Sequence, residues 1–320
     1  MNPPLPTLGA PNLLPMPIVE PPAAPAALAT TASVPLAGRL WKRWRRIDVG
    51  PVVLLAMVVA AAFLLCALFG QWLAPFDAMA QDFGARLSEP ELGRAAHWLG
   101  TDQLGRDVAS RMIVGARPTA IVALACIVFG GGVGGLLGVW AGYAGGRVDA
   151  IVMRAADATL SLPALLLALV FAVTTGPGIA PVVATISLLI WAIFARVVRS
   201  AAAGVRHRDW IRQARVNGCS DLYIMARHVL PHVVDVWLVV ATLQLGNVIL
   251  LDASLSFLGV GVPPPYPSWG QMTAAGREYL QEATWVAVCP SLALTLVIMA
   301  FNLLGDWLRD RLDPRQRVRT

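Results

Sequence analysis

The feature that most constrains the fold of this chain is a run of 38 consecutive residues without a charge, 158–195. As a single α-helix it would be about 57 Å long, nearly twice the thickness of the hydrocarbon core of a bilayer. Gly176-Pro177-Gly178 interrupts the run near its middle, and these residue types favour a turn. The run therefore predicts two membrane-spanning helices joined by a tight turn.

Other uncharged runs are long enough to hold further spans. They contain 28, 29 and 23 residues, at 49–76, 118–146 and 283–305, and another apolar stretch follows Pro231. Charged residues make up 14% of the chain, against about 25% in soluble domains. The sequence predicts an all-α polytopic membrane protein with six transmembrane helices, at 51–72, 118–142, 158–175, 179–199, 233–257 and 284–305.

The basic residues predict the orientation. With the N-terminus inside, cytoplasmic segments hold 19 of the 25 Lys and Arg residues, which places both termini in the cytoplasm by the positive-inside rule. The net charge of +6 is explained by the same placement beside apolar spans, so we expect no nucleic-acid partner. We expect the lipid bilayer to surround the transmembrane helices.

Four segments follow from these patterns. Residues 1–46 are predicted to be a disordered Pro-rich cytoplasmic tail with a basic cluster, because proline disfavours helix and sheet. Residues 47–117 hold the first transmembrane helix and an extracytoplasmic loop, which is long enough to have structure of its own. Residues 118–306 form the core transmembrane domain, and 307–320 a basic cytoplasmic tail.

The longest predicted cytoplasmic loop, 206–231, has the pattern of a helix, a break and a second helix. Asp209 can cap the first helix, Gly218 can end it in the left-handed conformation, and Ser220 or Asp221 can cap the second. Pro231 then restarts the chain into span five. Trp210, Ala214 and Val216 give the first helix an apolar face, which indicates either a docking surface for a partner protein or a charged loop that only retains topology.

This loop resembles the EAA loop of ABC importer permeases. Ala214, Gly218, Leu230 and Pro231 match the spacing of that loop, whereas Arg212 and Gln213 stand where the family usually has Glu-Ala. The resemblance implies that the loop contacts an ATPase. The candidate coupling residues are Trp210, Arg212, Gln213, Ala214, Gly218, Leu230 and Pro231.

Three more stretches resemble the dipeptide, oligopeptide and nickel branch of that family, specifically its C-type permeases. They read GTDQLGRDVASR at 100–111, AGYAGGRVD at 141–149 and DASLSFLGVGVPP at 252–264. The family commonly has Glu at the position of Asp252. An ionisable residue inside a span usually faces a cavity or a partner, so Asp252, with Ser254 and Ser256, is predicted at the pore or at the interface with a second permease; the alternative is a simple interfacial charge.

The resemblance implies a type I ABC importer permease fold in the bacterial cytoplasmic (inner) membrane. The chain contains no G-x-x-x-x-G-K-[ST] loop for nucleotide phosphates, so it is not expected to be an enzyme or to bind a cofactor or metal. ATP and Mg²⁺ would bind to two separate ATPase subunits. A second homologous permease and an extracytoplasmic solute-binding protein are the other implied partners.

The expected function is ATP-driven uptake of di- or oligopeptides. Nickel chelates and glutathione-like peptides are alternative cargoes on the same architecture. A different class, an ATP-independent secondary transporter or channel, is the rival interpretation. Secondary transporters often contain inverted repeats with paired broken helices, and neither the 206–231 loop nor the Gly-Pro-Gly break has a second copy in the sequence.

Overall fold

The computed structural model describes residues 50–91, 93, 97–176, 178–261, 263 and 265–312. The predicted tail 1–46 and the end of the predicted basic tail, 313–320, lie outside these residues. The described part is helical and contains no β-strand. Its helices are α1 (Pro51–Leu73), α2 (Val108–Ala144), α3 (Gly146–Ser161), α4 (Ala164–Thr175), α5 (Ile179–Arg206), α6 (Asp209–Val216), α7 (Asp221–Phe257), α8 (Trp269–Gly276) and α9 (Thr284–Leu312).

Within the described residues, five helices are long and apolar enough to cross a membrane, namely α1, α2, α5, α7 and α9. A sixth crossing exists only if α3 and the first part of α4 count as one span, and these two helices are bent by 86°. The prediction of an all-α multi-pass protein is confirmed, but 158–175 is not one straight helix. Pro163 explains the bend, since it forces the preceding Leu162 into an extended conformation.

The second span is longer than predicted. It begins at Val108 instead of residue 118, because the Asp107 carboxylate accepts a hydrogen bond from the backbone N–H of Ser110 and caps the helix there. Pro118 lies inside the helix. A π-helical turn, Ile127–Gly131, interrupts α2 near its centre.

The fifth span also differs from its prediction. The second short helix of the 206–231 loop and the span itself form one continuous helix, α7, of 37 residues. Pro231 therefore does not restart the chain. A π-helical turn at Met225–Val229 precedes it, and this wider turn lies where the proline ring would meet the preceding helix turn. At the other end of the chain, α9 continues to Leu312, beyond the predicted end of the sixth span at residue 305.

Small residues bring α2 and α5 into close contact. A Cβ atom added at Gly134 would lie 2.2 Å from the carbonyl oxygen of Trp191, and one at Gly138 would lie 2.6 Å from that of Ala195. These glycines are four residues apart on one helix face. Small residues at these positions let the two helix backbones approach each other closely.

The break between α4 and α5 has the predicted form. Gly176 has a φ of +80° and Gly178 one of +157°, a backbone conformation that glycine adopts without steric cost.

Aromatic packing joins α1 to two other helices. The Phe63 ring centroid lies 5.4 Å from that of Trp269 in α8 and 6.0 Å from that of Phe301 in α9.

Candidate functional site

The 206–231 loop forms a helical hairpin of α6 and the first turns of α7. The backbone N–H of Cys219 donates to the Ala214 carbonyl and that of Gly218 to the Arg215 carbonyl, which is the hydrogen-bond pattern of a Schellman C-cap. Gly218 has a φ of +78°, and the Ser220 hydroxyl accepts a hydrogen bond from the N–H of Tyr223. The predicted left-handed break and the Ser220 cap are confirmed.

The capping role predicted for Asp209 is wrong. Arg208 occupies the N-cap position of α6 and its side chain makes no cap hydrogen bond. Asp209 is the first helical residue, and its carboxylate accepts a hydrogen bond from Arg212 at 2.7 Å.

The inner face of the hairpin packs against the chain. Ile211 and Ala214 are buried, as are Ile224 and Val229 at the start of α7. They pack in one cluster with Val139 and Tyr143 of α2 and Val198 of α5. Ile211 was not among the predicted coupling residues, although its spacing of three residues from Ala214 places both on one helix face.

The outer face of the hairpin carries apolar side chains that the described part of the chain does not cover. Val216 is 87% exposed, Leu222 73% and Tyr223 52%. Val216 was predicted on the apolar face with Trp210 and Ala214, and the structure separates it from them. Trp210 instead packs on α7, with its ring centroid 4.9 Å from that of His232. Such an uncovered patch at a hairpin tip is typical of a docking surface.

Three polar side chains connect the hairpin to α2. The Tyr143 hydroxyl and an Asp221 carboxylate oxygen are 2.5 Å apart, and the Nε of Arg215 donates to the Tyr143 oxygen at 3.3 Å. Arg215 also lies 3.8 Å from Asp221. The hydrogen bond to Tyr143 raises the pKa of the Arg215 guanidinium above its ordinary value. This clamp joins both arms of the hairpin to the C-terminal turn of α2.

The rest of the 141–149 motif connects to α5. Asp149 forms a bidentate ion pair with Arg199, whose Nε donates at 2.7 Å. Gly145 has a φ of +68°, and a Cβ there would lie 2.3 Å from the Nη1 of Arg206. The motif therefore contributes contacts between the end of α2, the start of α3 and α5.

The predicted coupling residues divide between the two faces of the hairpin. Ala214 is buried and Trp210 half-buried, and the other five are exposed, namely Arg212, Gln213, Gly218, Leu230 and Pro231. Their contact with an ATPase stays a prediction.

The three residues predicted at the pore or permease interface do not share one environment. Asp252 and Ser256 are each 4% exposed, so they point into the chain instead of onto a surface that a second permease could touch. Across the described ranges, neither the Asp252 Oδ1 nor the Ser256 Oγ has a hydrogen-bond partner. Ser254 is half-buried and donates to the Leu250 carbonyl. Their functional role stays a prediction.

At the opposite end of α2, the 100–111 motif forms a folded polar unit. The Asp102 carboxylate accepts hydrogen bonds from the backbone N–H groups of Leu104 and Arg106 and from the Arg106 side chain at 2.7 Å. Arg111 lies 3.5 Å from the same carboxylate. The Trp285 indole of α9 donates to the Thr101 carbonyl. The expectation that this loop has its own structure is confirmed.

Comparison with known proteins settles the family. The family described as "Binding-protein-dependent transport system inner membrane component" matches residues 134–318. The family "N-terminal TM domain of oligopeptide transport permease C" matches residues 39–90. The chain belongs to the binding-protein-dependent transport permeases. It is the permease subunit of an ABC importer, a multi-pass inner-membrane transport protein and not an enzyme.

Three relatives resemble this permease along most of its length. A probable D,D-dipeptide transport system permease protein of Escherichia coli (strain K12) is 37% identical over 265 residues, covering 83% of this chain and 88% of the relative. A di/tripeptide transport system permease protein of Pseudomonas aeruginosa (strain UCBPP-PA14) is 40% identical over 255 residues, covering 79% and 84%. A nickel transport system permease protein of Escherichia coli (strain K12) is 39% identical over 262 residues, covering 82% and 94%.

Proposed function

We propose that this permease forms, with a second homologous permease, the translocation pathway of an importer for di- or oligopeptides. Two ATPase subunits would bind ATP and Mg²⁺ and dock on the hairpin, and an extracytoplasmic solute-binding protein would deliver the peptide. The chain itself would hold no cofactor.

The exposed apolar tip of the hairpin is the observation that carries the ATP-driven interpretation. Val216, Leu222 and Tyr223 lie close together in the sequence on either side of the Gly218 turn, and all three are exposed. A patch of this kind, on a hairpin whose opposite face is buried, fits a partner that covers it by apolar contact.

The connections of the hairpin indicate how a docked ATPase would move the pathway. α7 runs without a break from the hairpin tip to Phe257, about 55 Å at 1.5 Å per residue. Tyr143 and Arg215 tie the same hairpin to α2. A displacement of the tip would therefore be transmitted along α7 toward Asp252 and, through the clamp, into α2.

We propose an orientation with both termini in the cytoplasm, because 19 of the 25 Lys and Arg residues then lie on the cytoplasmic side. Cysteine labelling tests it in a variant without the four native cysteines. Tyr266→Cys should be labelled from outside intact cells, and Leu222→Cys only after permeabilisation; both positions are exposed. The reverse pattern would overturn this orientation.

The peptide cargo is supported by the names of two of the three relatives, which refer to dipeptides and to di/tripeptides. Nickel chelates are the alternative that the third name favours, and glutathione-like peptides are a further one. All of these cargoes fit one pathway architecture, so the cargo needs a direct measurement.

The test is uptake by proteoliposomes that contain the assembled complex and its binding protein. A labelled dipeptide should accumulate with ATP and not with a non-hydrolysable analogue. ATP-dependent accumulation of nickel or glutathione without dipeptide uptake would show that the cargo is nickel or glutathione instead of a peptide of this kind. Accumulation by this permease without any ATPase subunit would favour a secondary transporter.

A further inference from the structure

A cavity lined by both charged and apolar side chains lies at the N-terminal end of α2, far from the hairpin. It has a volume of about 250 Å³ and is lined by the 100–111 segment, α8 and the start of α9. Its charged lining residues are Asp102, Arg106 and Arg111. Two cations therefore share one carboxylate, which leaves a net charge of +1 on the wall.

The two arginines are buried, and the protein uses few of their N–H groups. Arg106 donates through Nε to Asp102, and Arg111 donates through Nη1 to the Ala78 carbonyl and lies in ion-pair range of Asp102. In the part of the chain that the structure describes, the terminal nitrogens of Arg106 have no hydrogen-bond partner. Each guanidinium carries five N–H donors, so donors are left for a ligand.

Two amide side chains also line the cavity. The Oε1 atoms of Gln103 and Gln271 are buried and have no hydrogen-bond partner among the described residues. A buried polar atom without a partner costs free energy. Because the amide oxygen and nitrogen are interchangeable in assignment, each side chain can offer an acceptor or a donor to a bound group.

We propose that this cavity binds the carboxylate of a small solute. A planar carboxylate matches the fork of N–H donors on a guanidinium group. Its negative charge would neutralise the net positive charge of the residues that line the cavity. The volume admits a molecule of the size of acetate or an amino acid. The site goes beyond the proposed transport function, because neither the coupling hairpin nor Asp252 lines it.

The experiment measures thermal unfolding of the purified full-length chain in detergent, with sodium acetate as the probe. A ligand that binds only the folded protein raises the unfolding temperature in a saturable way. Acetate should give this rise, whereas acetamide, its neutral analogue, and sodium chloride at equal ionic strength should not.

Matched glutamate variants localise the effect. Gln103→Glu and Gln271→Glu each place a carboxylate beside the arginines with little change in shape, so each should abolish the acetate-dependent rise without lowering the unfolding temperature measured in its absence. Gln81→Glu makes the same change at an exposed position of the same loop and should leave the acetate response intact.

Several results would overturn the site. They are an equal shift with acetamide or sodium chloride, an undiminished acetate response in both cavity variants, and no saturable acetate response in the unmodified chain. None of these readouts requires transport, so the site and the proposed function can fail separately.

Discussion

The two ends of α2 contact segments built in contrasting ways. The segment 74–107 has buried polar groups paired within the chain, with Asp102, Asp107 and Thr101 all buried. The hairpin at 206–231 has only one buried face and leaves Val216 and Leu222 exposed. One segment holds its ion pairs inside the chain, and the other has an apolar surface that nothing in the described structure covers.

The difference shows how the two segments can serve a transporter. Buried ion pairs hold a segment in one arrangement, since breaking such a pair leaves an uncompensated charge. An exposed apolar tip tied to two long helices suits a part that binds a partner and moves with it. The following predictions test this contrast, from the largest expected effect to the smallest.

Gly218→Val should abolish uptake while the permease still reaches the membrane. The left-handed conformation costs a residue with a Cβ about 1–2 kcal/mol, and a β-branched side chain is the least compatible with it. A Cβ atom added at this position has no neighbour within 4 Å, so we expect the loss to come from backbone strain. Uptake and co-purification of the ATPase subunits should be measured in the same preparation.

Gly218→Asn is the matched control, because asparagine tolerates the left-handed conformation. It should keep most of the uptake. Normal uptake by Gly218→Val would show that the turn is not needed for coupling.

Asp102→Asn should destabilise the segment 74–107 by about 3 kcal/mol, because Arg106 and Arg111 would lose their shared carboxylate in a buried setting. Thermal unfolding in detergent measures this loss. Asp77→Asn changes an exposed residue of the same segment and should have little effect. Similar unfolding temperatures for the two variants would contradict the view that the Asp102 pairs stabilise the segment.

Tyr143→Phe should weaken the clamp, since it removes the hydroxyl that contacts Asp221 and Arg215. The expected loss is about 1 kcal/mol of local stability, seen as faster amide hydrogen exchange in α6 and the first turn of α7. Tyr223→Phe is the control, because Tyr223 is exposed. Unchanged amide hydrogen exchange in Tyr143→Phe would show that the Tyr143 hydroxyl does not stabilise the hairpin.

Arg212→Ala should have the smallest effect. Its ion pair with Asp209 is exposed at both side chains, and such pairs add little stability. Uptake should stay within about twofold of the unmodified permease. A loss as severe as that of Gly218→Val would mean that Arg212 itself contacts the ATPase.

The sequence predicts those features that depend on residues close together in the chain. The spans follow from uncharged runs, and the turn at Gly218 and the cap at Ser220 follow from local residue preferences. The continuity of α7 through Pro231 could not be predicted, because it depends on a π-helical turn that has no clear sequence signal. The 86° bend after α3 was not predicted from the uncharged run, because the length of a run carries no information on helix direction, although Pro163 is a local signal for a bend.

Contacts between distant parts of the chain were beyond prediction as well. Tyr143 and Asp221 are 78 positions apart, and nothing in their neighbourhoods indicates the pairing. The burial of Asp252 depends on how α7 packs against its neighbours. Val216 was predicted on the wrong face of α6. This helix has only eight residues, so its apolar face is defined by very few side chains and one of them can shift its predicted position.

Co-purification of the ATPase subunits with a hairpin variant tests the central claim most directly. Val216→Asp combined with Leu222→Asp places two charges on the exposed tip, and Phe83→Asp combined with Tyr266→Asp places two on exposed positions outside the hairpin. The hairpin variant should reach the membrane and lose the ATPase subunits, while the control variant keeps them. Full retention of the ATPase subunits by the hairpin variant would contradict the account.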